Sequence, residues 1–219
     1  MAAKEFLYCY KMTHDTGFAP NPYHGVLTLA TCKPTIRRCA EVNYWISGWT
    51  SNKVQSKDKK HEFSDETQSL IYLAKVTKKI PIEDYWENYD YKRPKKINNR
   101  KHNTTNCRGM KNDTSGSYDM GDNIYKPIKG KKAEFRQLPN GGGHGINNKE
   151  HDLSGRFVLI CEEFYYFGVE DAILKNKIIN DKNFVVPRCK KIQLDHPIAK
   201  QIIDFVTKNY SSGINQKKI

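Results

Sequence analysis

The sequence predicts an α+β fold. Three observations carry that prediction: short apolar runs rich in aromatic and branched residues, Gly- and Pro-rich punctuation between them, and one amphipathic segment near the C-terminus. No internal repeat or heptad appears, so residues 1–219 are expected to form a single domain.

The elements follow in order. Residues 5–12 (EFLYCYKM) form an aromatic-rich strand, followed by a loop from His14 to Gly25 and a second strand, Val26 to Thr31. Pro34 suits a helix start, and Ile36 and Ala40 fall on one helical face, so Lys33 to Val42 is predicted helical. YWISGWTS (44–51) is a strand in which Gly48 marks a bulge or a close backbone approach. SLIYLAKVTKKI (69–80) begins as a buried strand, and residues 81–94 form a short helix ending before Pro94. Residues 95–120, rich in Lys, Asn, Gly, Ser and Thr, are expected to be a mobile loop. GDNIYKPI (121–128) is extended, PNGGGHG (139–145) leads into a further loop, and RFVLICEEFYYFG (156–168) is the strongest strand. Residues 198–210 place Ile198, Ile202, Phe205 and Val206 on one helical face.

The formal charge is +13, from 37 Lys and Arg against 24 Asp and Glu. Such an excess attracts polyanions and suits a nucleotide, DNA or RNA partner, although most of the cations are lysine, a point charge rather than a bidentate reader. Six widely spaced cysteines without a CxxC pair read as reduced thiols, and no apolar run is long enough for a signal or a membrane span. The protein is therefore expected to be cytoplasmic and free of membrane contact.

Three segments in order resemble the EVE and ASCH branches of the PUA-like superfamily: Val42-x-x-Trp45-Ile46-x-Gly48, Leu70-Ile71-Tyr72-x-Ala74-x-Val76-Thr77, and Tyr85-Trp86 with Lys92-Arg93-Pro94. A longer signature resembles the second of the nucleotide-modification-associated domain families. It comprises His14 to Pro22, Thr28 to Pro34 with Ile36-Arg37, Gly121 to Tyr125, and Phe164 to Gly168. The resemblance spans about residues 5 to 210 and implies a small mixed or antiparallel PUA-like β-barrel with short peripheral helices and a C-terminal helix. It also implies a role beside DNA-base modification in phages, bacteria or mobile elements. Two departures stand out: Asn43-Tyr44 replaces the usual Gly-Asp before Trp45, and the 95–120 insert is long.

Several constellations could carry chemistry. His14 could act as a general acid or base with Asp15 orienting it, or the pair could simply anchor the loop. Lys33 and Arg37, four apart, could face a phosphate with Thr31 beside them, or form a solvated cationic face. Trp45, Trp49 and Ser51 flank Gly48, and Trp49 is the preferred face for stacking a base. Asp122 and Asn123 could read a base edge, with Asp122 a further acid–base candidate, or could be turn residues. Tyr125, His144 and Tyr166 complete the predicted ligand-binding set. The glycine run 141–145 lacks the lysine and hydroxyl of a phosphate loop. His144, His151 and Asp152 have no matching third spacing for a metal, nor do Cys107 and His102, so no metal or cofactor is expected.

Three functions compete. A binding domain could recognise a modified or flipped base; an enzyme could process a nucleotide by acid–base chemistry through His14 and Asp15; a basic scaffold could dock to RNA or an acidic protein.

Overall fold

Leu7 and Cys9 point into one apolar cluster, while Tyr8, Tyr10 and Met12 point into another. That alternation buries both faces of the first strand, β1 (Phe6–His14). The computed structural model describes residues 4–56, 59–97, 118–181, 183–186 and 188–216. After β1 come β2 (Leu27–Leu29), α1 (Pro34–Cys39), β3 (Trp45–Gln55), β4 (Lys60–Glu62), β5 (Ser69–Lys75), β6 (Lys78–Pro81) and α2 (Ile82–Asn88). A 3-10 turn, Asp90–Lys92, precedes β7 (Tyr125–Pro127), β8 (Phe135–Gln137), α3 (Ile146–Leu153), β9 (Phe157–Cys161) and β10 (Glu163–Tyr166). The chain continues through β11 (Ile173–Leu174), α4 (Lys175–Ile178), β12 (Cys189–Gln193), α5 (Pro197–Asn209) and β13 (Gly213–Ile214).

The fold is α+β. Its main sheet runs β12-β1-β3-β5-β10-β13, with β4 on β3 and β11 on β5. Pairing is parallel between β1 and β3 and between β10 and β13, and antiparallel elsewhere in the sheet. Among the described residues the path from β12 to β13 is open, which corrects the expected closed barrel. A smaller antiparallel sheet, β2-β9-β6, and the β7-β8 hairpin complete the strands.

The 156–168 run is two strands, not one. Its first half, β9, belongs to the small sheet and its second half, β10, to the large one. Glu162, where the chain crosses over, is exposed and pairs with Lys78 at 2.8 Å. The predicted bulge is present: the β3–β5 register shifts between Gly48 and Trp49. A Cβ on Gly48 would lie 2.3 Å from the Tyr72 ring, so close approach requires glycine there.

The predicted C-terminal helix, α5, lays Ile198, Ala199, Ile202 and Val206 over one face of the sheet. His196 caps it, its ring accepting from the Ile198 N–H, and Pro197 opens its first turn. Most of the expected 95–120 loop, Cys107 and His102 included, lies outside the described residues. No described helix is long and apolar enough to cross a membrane.

Candidate active site

Between β2 and α1 the chain turns sharply through Thr31, Cys32 and Lys33. Cys32 and Lys33 both take left-handed backbone angles, with φ of 55° and 40°. Such angles are uncommon away from glycine and cost about 1–3 kcal/mol each, so surrounding contacts must hold them. Arg37, one turn into α1, supplies part of that hold. Its guanidinium donates to the carbonyls of Phe157 at 2.7 Å, Asp152 at 2.8 Å and Cys32 at 3.3 Å. Burial lowers its pKa to about 10, with Asp152 pulling the other way, so it stays charged near neutrality.

Helix α3 brings the carboxylate. Asn148 and Asp152, one turn apart, are its buried face. Oδ1 of Asp152 accepts the Cys32 backbone N–H at 2.8 Å. Oδ2 accepts the Tyr125 hydroxyl at 2.7 Å and lies 2.6 Å from Nδ1 of His144. Burial pushes the Asp152 carboxyl up, but His144 and these hydrogen bonds outweigh it and hold the group below the usual carboxylate range.

The remaining member comes from the glycine run. Asn140 clamps the main chain of His144 at both its N–H and its carbonyl, and Gln137 donates to the same carbonyl at 2.7 Å. The Phe18 ring packs 4.8 Å from the His144 ring and lies over Gly142, where a Cβ would sit 2.1 Å from Phe18 Cγ. The glycines therefore let the chain approach Phe18 and present His144. Its Nε2 lies 3.5 Å from Sγ of Cys32.

The chemistry of this row follows from proton counting. An ionised carboxylate only accepts, so Nδ1 of His144 carries the proton facing Asp152. Nε2 then faces the Cys32 thiol as the proton acceptor, the order of groups in a nucleophile–base–orienter relay. Cys32 and His144 open onto a pocket of about 400 Å³ shared with Tyr10, His14, Phe18 and Arg188.

A metal ion is the competing use of the same atoms, since ligand atoms of Cys32, His144 and Asp152 all lie within 4.8 Å of one another. Both Asp152 oxygens already serve Cys32, Tyr125 and His144, so an ion between Sγ and Nε2 would gain two ligands from this group, short of a tetrahedral set.

The other predicted residues divide. His14 and Lys33 line the pocket with His144. Asp15 accepts from the Tyr166 hydroxyl at 2.5 Å and the Val169 N–H at 2.6 Å, tying the loop to the sheet. Asp122 lies beneath, buried, accepting from Thr28 at 2.7 Å and Tyr85 at 2.6 Å. Asn123 donates to two carbonyls of α2 and its C-terminal turn, those of Tyr85 and Tyr89. Trp45 and Trp49 are core residues, 6% and 0% exposed, and the Trp49 indole N–H donates to Ser47. This corrects their expected role as a base-stacking face: both pack under α5. Ser51 bonds the Lys53 carbonyl, Tyr166 is core, and Thr31 is buried with an Oγ1 that has no partner among the described residues. Arg37 faces inward, which corrects its expected phosphate role. Tyr125 supports Asp152.

Sequence reasoning passed over Cys32 as one of six scattered thiols, read residues 146–153 as loop, and weighed Asp152 only as a metal ligand beside His144 and His151. The one available signal was Pro34 just after Cys32, a strand-to-helix turn with a thiol at its apex.

An α+β chain with a thiol and an imidazole in a pocket wall, and a buried carboxylate behind the imidazole, is the class that fold and site define. The chain belongs to the nucleotide modification associated domain 2 family, whose model matches residues 4–217. No curated protein and no solved structure matches it.

Proposed function

We propose that this protein is a cysteine-dependent enzyme of nucleotide modification, with Cys32 as nucleophile, His144 as general base and acid, and Asp152 orienting the imidazole. The family membership supports the nucleotide context. The single observation that carries the reaction type is His144 held between Asp152 at 2.6 Å and Cys32 at 3.5 Å.

The reaction class that suits this relay is acyl transfer or hydrolysis. Nε2 of His144 takes the thiol proton as Sγ attacks a carbonyl carbon. The tetrahedral adduct expels an amine or alcohol, which leaves with that proton, and a thioester remains on Cys32. Water or an acceptor amine, deprotonated by His144, then releases the acyl group and restores the thiol. In the family's context the carbonyl would be a substituent on a modified base, in a free nucleotide or in DNA or RNA.

The test is intact-protein mass spectrometry of the enzyme mixed with nucleotides carrying amide or ester substituents. An adduct of the acyl mass on Cys32, absent from Cys32→Ala, is the expected result. Turnover that persists in Cys32→Ala removes the proposal.

Recognition of a modified base without chemistry is the second reading, and its basis is the pair of aromatic residues, Tyr10 and Phe18, in the pocket wall; it is the weaker of the two. Lys33 already stands 4.6 Å over the Tyr10 ring, and Phe18 is engaged by His144, so neither face is offered as a simple stacking platform.

A further inference from the structure

The wall of the pocket beside Cys32 is basic. Lys33 and Arg188 both line it, with His14 and His151, and no Asp or Glu is among its described lining residues. These cations come from separate parts of the chain. Lys33 follows the nucleophile directly, and Arg188 precedes β12, whose Cys189 pairs with Tyr10 of β1. The Lys33 ammonium lies 4.6 Å from the centroid of that same Tyr10 ring, and Tyr10, Lys33 and Arg188 all line the one pocket. Arg188 is tied down through its carbonyl, which accepts the Lys11 N–H at 3.3 Å.

We infer that this wall binds a phosphate group of the substrate, with Lys33 and Arg188 as its cationic contacts, so that the reactive carbon lies over Cys32. A phosphate held between a lysine and an arginine of one pocket gains charge-assisted hydrogen bonds from both. Lysine and arginine suit the task differently: arginine offers a bidentate fork, lysine a point charge. A volume of about 400 Å³ lies in the range of pockets that take small ligands of nucleotide size. The inference rests on the thiol reading only for where the phosphate sits relative to the reacting carbon.

Binding to Cys32→Ser protein, which cannot form a thioester, tests it. The probes are the nucleoside 5′-monophosphates, the matching nucleosides, inorganic phosphate and a short single-stranded oligonucleotide, each followed by titration calorimetry. The monophosphates are expected to bind at least about tenfold more tightly than the nucleosides, and Arg188→Ala or Lys33→Ala to erase about that factor for the monophosphates alone. Binding by the oligonucleotide through the same two residues, with monomers excluded, assigns the phosphate to a strand and supports the inference equally.

Nucleosides and monophosphates that bind alike, or variants that weaken both alike, overturn it. Should either variant melt early, protection of Cys32 from iodoacetamide in the unaltered protein by inorganic phosphate or a monophosphate replaces it, and no protection by either overturns the inference. Phosphate-dependent binding with an inert Cys32 would leave this inference standing and remove the thiol reading. A reactive Cys32 with charge-blind binding would do the reverse.

Discussion

The backbone N–H of Cys32 donates to Oδ1 of Asp152 at 2.8 Å, across 120 residues of sequence. The carboxylate that holds the imidazole thus also fixes the main chain of the thiol, so thiol and imidazole are positioned from one group. Asp152→Asn keeps the shape but presents an amide where two donors converge. It is expected to slow Cys32 chemistry by at least about a hundredfold while leaving the fold intact, measured by alkylation kinetics beside circular dichroism.

Asp152 also sets an acid limit. Its folded pKa is depressed, so the stability it contributes is fully present above the unfolded value, about 3.9, and is lost as pH falls through the folded one. Melting temperatures between pH 5 and pH 3 are expected to fall more steeply in the unaltered protein than in Asp152→Asn.

Asp122 has the opposite sign. Burial raises its pKa to about 6, against the pull of Lys92 and its hydrogen bonds from Tyr85 and Thr28. Its favourable contribution is fully present below about pH 4 and is lost as pH rises through about 6, a change of about 3 kcal/mol at most. Thermal melts over that window are expected to show the loss, and Asp122→Asn to flatten it.

Arg37 is a clamp rather than a ligand contact. Its guanidinium reaches three carbonyls from two nitrogens and packs against Gly155, where a Cβ would lie 2.5 Å from Cζ, a geometry that one ammonium nitrogen cannot reproduce. Arg37→Lys is expected to cost about 3 kcal/mol or more of stability, read by urea denaturation.

Gly142→Ala tests the glycine run. The added methyl meets Phe18 and must displace it from His144. A loss of about 1–3 kcal/mol is expected, with slower Cys32 alkylation. Alkylation at the original rate would detach the run from the site.

Much of the frame was legible because it depends on local pattern. Alternation along 5–12, the Pro34 helix start, the Gly48 bulge and the apolar stripe of α5 each declare themselves within a few residues. What was hidden is non-local. Residues 146–153 form α3 despite a polar sequence, because Asn148 caps Gly145 and Asp152 finds its partners on β2–α1 and β7. The tryptophans beside Gly48 read as a ligand face because strand alternation does not say that α5 covers their side of the sheet. Cys32 gave no spacing signal, since its base lies 112 residues away.

The most direct measurement is the rate at which iodoacetamide modifies each cysteine at pH 7, resolved by peptide mass spectrometry, in the unaltered protein and in His144→Ala. Cys32 should react faster than the exposed thiols of Cys39 and Cys189, and lose that advantage, by about tenfold or more, without the imidazole. Equal rates at all three, or a Cys32 rate indifferent to His144, would contradict it.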